Sequence, residues 1–183
     1  MQTTPQDALL AVRCRLGEPS ALDELVDRWH GPLRAYVGRL LSGTDGLDET
    51  LQELWLRILR GLPGLRDPHK LVPWMYRIAR FAAMDHLRGR YASAGEEVEP
   101  DALPSEEAES SQELHLELRE LEAALDRLAW PERETVVLFY LEGWSTADIA
   151  ELVGIPVGTV KSRLFRARKE LEKILRPGPA AHE

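Results

Sequence analysis

The segment at residues 143–168, GWSTADIAELVGIPVGTVKSRLFRAR, carries start and stop signals for two short helices in close succession. Ser145 is a favourable N-cap residue and Asp148 lies three positions later, so a helix is predicted to begin directly after Ser145. Gly154 can adopt a positive φ, and Pro156 prevents the first helix from continuing but is tolerated at the opening of a second. Two helices joined by so short a turn must cross at an angle. The segment is therefore predicted to form a helix-turn-helix.

The second of these helices is predicted to be amphipathic and basic. Its apolar residues recur at helical spacing and should face a core: Val160, Leu164, Ala167, Leu171 and Ile174. Residues 156–176 hold seven basic side chains against two acidic ones, a local charge of +5 in a chain whose net charge is −8. Such a surface suits a phosphate-lined groove, although an ordinary amphipathic helix also has a charged outer face.

Small residues at the start of this helix would let it approach the floor of a DNA groove. We expect four side chains to reach base edges: Thr159, Lys161, Ser162 and Arg163. Three further cations should lie along the backbone: Arg166, Arg168 and Lys169.

The whole chain is predicted to be all-α, with two small helical domains joined by an acidic flexible linker. Glycines and prolines mark helix ends throughout, and no segment alternates with period two for long. The boundary between the two domains is indicated by charge. Residues 92–115 hold eight acidic residues, no Lys or Arg and few apolar residues, a composition typical of a disordered linker. We assign residues 1–91 to an N-terminal domain, 92–112 to the linker, 113–177 to a C-terminal helix-turn-helix domain and 178–183 to a tail. The linker is either a solvated spacer or an electrostatic screen for the basic surfaces.

The N-terminal domain is predicted to open with two helices. Thr4 caps the first, which Gly17 closes, and Ser20 caps the second. Gly31 and Pro32 should kink or break that second helix. The first helix has four residues predicted to form its apolar side: Leu9, Leu10, Val12 and Leu16.

Two further helices of this domain each have a face that points to a partner. A third helix, near residues 48–59, combines a core stripe with a polar face that has no basic partners of its own and looks available for binding: Glu49, Gln52, Glu53 and Leu56. A fourth helix continues to about Arg88, and six bases outweigh two acids between residues 66 and 91. This is a second basic surface, with aromatic residues among its cations.

These segments resemble the extracytoplasmic-function (ECF) sigma factors of bacterial RNA polymerase. The resemblance rests on three motifs in the family's order, separated by a variable linker: ETLQELWLRIL, PWMYRIARFAAMDHLRGR and PERETVVLFYLEGWSTADIAELVGIPVGTVKSRLFRARKEL. It implies a protein without catalytic activity that binds core RNA polymerase and directs it to promoter DNA. The family is commonly held inactive by a dedicated anti-sigma factor.

The resemblance also implies roles for particular residues. The polymerase-facing positions are Glu49, Gln52 and Glu53. The positions facing the downstream (minus-ten) promoter element are Arg77, Arg80, Asp85 and Arg88, with the loop at residues 61–68 placed where the family captures an unstacked base. The positions of the recognition helix for the upstream (minus-thirty-five) element are Lys161, Ser162, Arg163 and Arg166.

One position departs from the family pattern. Phe81 stands where the family usually has Asn, and an aromatic ring cannot offer a hydrogen bond to a base edge. Phe81 either extends the core stripe of its helix or forms an exposed platform on which a base stacks.

A leucine stripe precedes the helix-turn-helix: Leu114, Leu118, Leu121, Leu125 and Leu128. It is short for a coiled coil, and packing against a helix at residues 131–142 is favoured. That helix presents Val136, Val137, Phe139 and Tyr140 as apolar residues.

Other classes of protein fit less well. A response-regulator type transcription factor would need an α/β receiver domain, and the N-terminal half has no buried-strand pattern. A helical adaptor would not need two basic faces. An enzyme is disfavoured because no nucleophile, base and orienting group cluster in the motifs. The single cysteine, Cys14, and five dispersed histidines predict no disulfide, metal site or cofactor, and the absence of a signal peptide or membrane span predicts a cytoplasmic protein.

Overall fold

The computed structural model describes residues 3–42, 45–93 and 112–175, with side chains for all of these except 91–93 and 112–118. Within these ranges the regular structure is helical, so the predicted all-α class is confirmed. The helices are α1 Pro5–Arg15, α2 Pro19–Leu41, α3 Leu47–Gly61, α4 Leu71–Ser93, α5 Gln112–Asp126, α6 Trp130–Val136, α7 Thr146–Val153 and α8 Val157–Leu175. Short 3-10 turns at Leu62–Gly64 and Pro68–Lys70 join α3 to α4, and α6 runs into a π-helical turn at Val137–Leu141. Helices α1–α4 and α5–α8 form the two domains, and residues 94–111 of the predicted linker segment lie outside the described residues.

Helix α1 begins as its sequence predicts but faces the core differently. Thr4 and Asp7 form a reciprocal capping box, in which each backbone N–H donates to the other side chain, and Pro5 takes the first helical position. The predicted apolar side is wrong, because Leu9, Val12 and Leu16 are exposed and only Leu10 is buried. The rest of the core-facing side is made of three small residues, Ala8, Ala11 and Cys14. Their small size allows α1 to lie close to the neighbouring helices.

Helix α2 is a single helix across Gly31 and Pro32, so the predicted break does not occur. Buried residues on either side of the proline, Trp29 and Leu33, hold both halves against the same core. The helix also starts earlier than predicted. Glu18 is its N-cap residue and Pro19 follows at the first helical position, which leaves Ser20 inside the first turn rather than at the cap.

Two close backbone approaches fix the geometry of α3 and α4. Gly46, at the N-cap of α3, has a φ of 71°, and a Cβ atom there would lie 2.0 Å from the His86 ring. At the other end, a Cβ atom on Gly61 would lie 2.8 Å from the Trp74 ring. Glycine at both positions therefore lets α4 pack closely along α3.

In the C-terminal domain the end of the leucine stripe packs into a core rather than forming a coiled coil. Leu125 and Leu128 are buried together with Val136 and Val137, whereas the side chains of Leu114 and Leu118 lie outside the described residues. Tyr140 differs from its predicted packing role, because it is 51% exposed. The backbone explains the difference: the wider π-helical turn, closed by the Glu142 N–H on the Val137 oxygen, changes the helical register and rotates Tyr140 outward.

Candidate nucleic-acid interfaces

The predicted helix-turn-helix is formed by α7 and α8. Ser145 caps α7, accepting a 3.1 Å hydrogen bond from the Asp148 N–H, and Gly154 ends the helix with a φ of 77°. The two helices pack through buried apolar side chains: Ile149, Leu152, Val160, Leu164 and Ala167. The expected cap and turn are confirmed. The predicted core stripe is buried at Val160, Leu164 and Ala167 but only half-buried at Leu171 and Ile174, and the opposite side of α8 faces outward.

The outward side of α8 carries most of the predicted upstream-element residues. Lys161 and Ser162 are exposed, while Thr159 and Arg163 are half-buried. The Ser162 hydroxyl donates to the Thr159 carbonyl oxygen at 2.9 Å, so it is engaged with the helix backbone in this state. Arg168 and Lys169 are also exposed.

Two features of this helix were missed by the sequence reasoning. Phe165 is 53% exposed on the outward side, and the Lys169 ammonium lies 4.8 Å from its ring centroid, a cation–π contact. Arg166 is not free, because its Nε and Nη2 atoms donate to Oε1 of Glu132 at 3.0 and 2.7 Å. The exposed aromatic could have been found from its position between the stripe residues Leu164 and Ala167, but the ion pair spans 34 residues and has no local signal.

The second basic surface lies on α4. Phe81 is 47% exposed and the Arg80 guanidinium lies 5.9 Å from its ring centroid, so the ring does not extend the core stripe. Arg88 is exposed, and Asp85 forms ion pairs with Arg88 and, across to α3, with Arg57 at 2.8 Å. Asp85 therefore braces α4 against α3 in this state.

Two arginines of α4 contact the C-terminal domain, although Arg77 also stays exposed to solvent. Arg80 Nε lies 2.5 Å from Glu134 Oε1, and its side chain is 15% exposed. Arg77 donates to the Glu151 carbonyl oxygen at 3.2 Å, and the Lys70 ammonium lies 2.9 Å from the Glu151 carboxylate, a hydrogen bond that raises the pKa of Lys70. Burial raises the pKa of Glu134, although Arg80 and Arg163 act in the opposite direction.

The loop at residues 61–68, predicted to capture a base, is anchored at two points. Leu62 and Leu65 are buried, and the Asp67 carboxylate accepts a 2.9 Å hydrogen bond from the His69 N–H. Between and beside these anchors, Pro63, Gly64 and Arg66 are exposed.

The polar face predicted for α3 is present, but it differs from the prediction in one respect. Glu49 and Gln52 are exposed, whereas Glu53 accepts a 2.8 Å hydrogen bond from Arg57, so the expectation that this face has no basic partner was wrong. Leu56 and Leu59 are each 40% exposed beside it. The face is therefore part apolar, with one acid already paired.

The described residues include no group of three or more His, Cys, Asp or Glu side chains placed to hold a metal ion. No described helix is both long enough and apolar enough to cross a membrane.

Comparison with known proteins places both domains in one class. Residues 25–92 match the family model "Sigma-70 region 2", and residues 118–171 match "Sigma-70, region 4". The chain is 33% identical over 143 residues to the ECF RNA polymerase sigma factor EcfG of Rhodopseudomonas palustris, covering 78% of each chain. It is 31% identical to the RNA polymerase sigma-H factor of Pseudomonas aeruginosa, covering 97% of each chain. The sigma factor RpoE of Bartonella quintana, solved with the anti-sigma factor NepR, superposes with a TM-score of 0.71 at 25% identity, covering 86% of this chain and 98% of that one.

These two domains in this order are those of a sigma factor of RNA polymerase. More narrowly, the chain belongs to the ECF sigma factors, as the three sequence motifs predicted. It directs promoter recognition by RNA polymerase, and the response-regulator alternative is not favoured. Sigma factors as a class are initiation factors without enzymatic activity.

Proposed function

We propose that this sigma factor reads the upstream promoter element with the outward side of α8 and the downstream element with α4 and the loop at residues 61–68. The observation that carries the proposal is the helix-turn-helix, whose second helix exposes Lys161, Arg168 and Lys169 on the side opposite its core. Exposed cations attract phosphates and fix the register of the helix, and Arg163 with Ser162 and Thr159 then lies at the base edges. Arg166 reaches the same groove from its support on Glu132.

On α4 the platform is Phe81, whose exposed ring offers a stacking face to any unpaired base. The nearby cations Arg77, Arg80 and Arg88 bind the backbone on either side of that base. Asp85 does not bind phosphate, since like charges repel, and instead it keeps α4 in place through Arg57.

The polymerase-binding surface is proposed to be the α3 face of Glu49, Gln52 and Glu53 with the adjoining Leu56. Exposed apolar side chains beside acids form a mixed surface that can lose water on binding a partner. The protein acts without catalysis of its own, in the cytoplasm where it meets core polymerase. An anti-sigma factor is a further proposed partner, supported by the likeness to a sigma factor solved with one.

Run-off transcription with purified core polymerase tests the proposal. The template carries the promoter of the chain's own operon, and the expected result is a defined start site that core polymerase alone does not give. Arg163→Ala should lower the yield on this template, and Glu122→Ala, on an exposed part of α5, is the matched control. No initiation above core polymerase on this template, with the chain folded and bound to the enzyme, would refute the promoter role.

A further inference from the structure

The contacts between the two domains pair acids of the C-terminal domain with cations of the N-terminal domain. Arg80 contacts Glu134 at 2.5 Å, and Arg39 contacts Glu142 at 3.3 Å. Lys70 contacts Glu151 at 2.9 Å. Every one of these acids belongs to α6, to the turn that follows it, or to α7, so one side of the C-terminal domain is matched to cations of α2, of α4 and of the 3-10 turn before α4.

The aromatic centre of this interface is buried, whereas the Lys70–Glu151 pair is exposed. Tyr76 lies between Tyr36 and Trp144, with ring centroids 4.9 and 5.1 Å away, and its hydroxyl donates to Glu142 Oε2 at 2.6 Å. Burial and this hydrogen bond raise the pKa of Tyr76 well above its ordinary value. Tyr76 is fully buried and Trp144 is 2% exposed, so aromatic packing holds the domains together around the charged pairs.

Glu134 and Glu151 engage two arginines of α4 that are proposed above to bind the DNA backbone. Glu134 is fully buried and faces an arginine from each DNA-facing helix, Arg80 of α4 and Arg163 of α8. Glu151 engages Lys70 with its side chain and Arg77 with its carbonyl oxygen. A phosphate cannot reach Arg80 while the carboxylate of Glu134 is in contact with it.

We propose that this is an autoinhibited, closed form of the free chain, in which the C-terminal domain covers part of the downstream-element surface of α4. The inference rests on the DNA-binding role of α4 proposed above. Opening moves Glu134, Glu142 and Glu151 away together and releases Lys70, Arg77 and Arg80. Phe81 and the outward side of α8 stay accessible in the closed form, so closure removes part of the DNA contact and not all of it.

The closed form is a bias that binding can overcome. Glu134 Oε2 is buried without a hydrogen-bond donor, and removing a carboxylate from water costs free energy that one arginine only partly returns. The aromatic contacts favour closing and the buried charge opposes it. Binding of α4 to DNA can therefore shift the chain to the open form by mass action.

Charge reversal at Glu142 tests the proposal in the full chain. Glu142→Arg places a cation against Arg39 and removes the acceptor of Tyr76, and the chain should open. Small-angle scattering should show a larger radius of gyration. Binding to a random duplex at low salt should tighten by up to about tenfold, the limit reached where about a tenth of the molecules are open beforehand and the closed form binds far more weakly. The plot of log affinity against log salt should steepen by about 2 to 3, because three more cations reach phosphates.

Two controls separate opening from added charge. Glu122→Arg makes the same charge change at an exposed position of the same domain and should leave the radius of gyration unchanged. The charge swap Arg39→Glu with Glu142→Arg has the parent's net charge and rebuilds the ion pair, so it should return the chain to the closed radius and weaker binding. Thermal melts of all variants confirm that each domain is folded.

The outcomes are distinguishable. A parent chain already as extended as Glu142→Arg would overturn the closed form while leaving the promoter role intact. Expansion without tighter or more salt-dependent binding would overturn the DNA role of α4, and autoinhibition with it. If Glu122→Arg tightened binding to random duplex as much as Glu142→Arg does, the effect would be one of general charge, and the closed form would be refuted.

Discussion

The guanidinium group of Arg166 donates two hydrogen bonds to a single carboxylate oxygen of Glu132, at 3.0 and 2.7 Å. The recognition helix α8 is thereby tied through its outward side to the start of α6. Glu132 is largely buried, with 16% of its side chain exposed, whereas 58% of the Arg166 side chain is exposed. The pair fixes the direction of an arginine that would otherwise sample many rotamers and that is proposed to contact DNA.

Glu132→Ala should lower discrimination between the upstream element and random duplex. Arg166 loses its support and must be ordered on binding, while loss of a nearby acid strengthens attraction to any phosphate backbone. The ratio of the two dissociation constants measures the effect. Glu120→Ala removes an exposed acid from α5 and is the control. A ratio that stays at the parent value in Glu132→Ala would show that the ion pair has no role in readout.

Arg163 and Arg168 should behave differently when replaced by Ala. Arg163 is half-buried near the start of α8 and is proposed to contact base edges, so its loss should cost about 1 to 3 kcal/mol on the cognate element and relax specificity at one base pair. Arg168 is exposed further along the helix, and its loss should weaken binding to all sequences and reduce the salt slope by about 1. Competition binding with single-base variants checks both. Uniform weakening by both replacements would refute the assignment of Arg163.

Leu56→Glu should weaken binding to core polymerase without unfolding the chain. The side chain is 40% exposed beside the polar face of α3, so a charge there costs little in the free protein but is desolvated at an interface. Leu9→Glu, at a leucine of α1 that is 60% exposed, is the matched control. Co-purification with core enzyme should fall only for Leu56→Glu. Equal retention of both variants would place the polymerase surface elsewhere.

Gly46→Ala should destabilise the N-terminal domain by about 1 to 3 kcal/mol. The position combines a φ of 71° with a Cβ clash of 2.0 Å against His86, so both backbone strain and displacement of α4 contribute. Urea unfolding gives the free energy change. Gly64→Ala is the comparison, since a Cβ atom there meets nothing within 4 Å, and it should stay within about 0.5 kcal/mol of the parent. A change for Gly46→Ala as small as that for Gly64→Ala would mean that His86 moves aside freely.

The sequence predicts local features of this protein well and relations between distant residues poorly. The caps at Thr4 and Ser145, the turn at Gly154 and the class of the fold follow from short-range stereochemistry, which a few neighbouring residues determine. The buried side of α1 was misjudged because Leu9 and Leu16 satisfy an apolar pattern equally well, and only the neighbouring helices decide which face is covered. The exposure of Phe81 was open for the same reason.

The contacts of the candidate site were the least predictable. The run of acids in residues 92–115 draws attention to the linker, whereas the residues that engage Arg77, Arg80 and Lys70 belong to folded helices and lie 54 to 81 residues away in sequence. Glu134 and Glu142 look like ordinary surface acids in the sequence. Their partners, Arg80 for Glu134 and Tyr76 for Glu142, belong to the other domain.

The last prediction concerns the pH dependence of domain closure. Burial raises the pKa of Glu134 above its ordinary value of 4.5, because loss of hydration outweighs the attraction of Arg80 from α4 and Arg163 from α8. Tyr36 of α2 faces the same carboxylate and stays neutral, because burial raises its own pKa.

In the open form we expect Glu134 to return to water and to its ordinary pKa. Between the ordinary and the raised value, the closed chain therefore holds a proton that the open chain has released. By linkage, closure is favoured as pH falls through the raised pKa, and the gain ends below the ordinary one. The radius of gyration should accordingly shrink as pH is lowered from about 8 towards the ordinary pKa of 4.5. Glu134→Gln, which is neutral throughout, should remain compact at pH 8 and show little dependence on pH. A parent chain that expands over this range, or a Glu134→Gln variant that is open at pH 8, would contradict the view that the buried charge opposes closure.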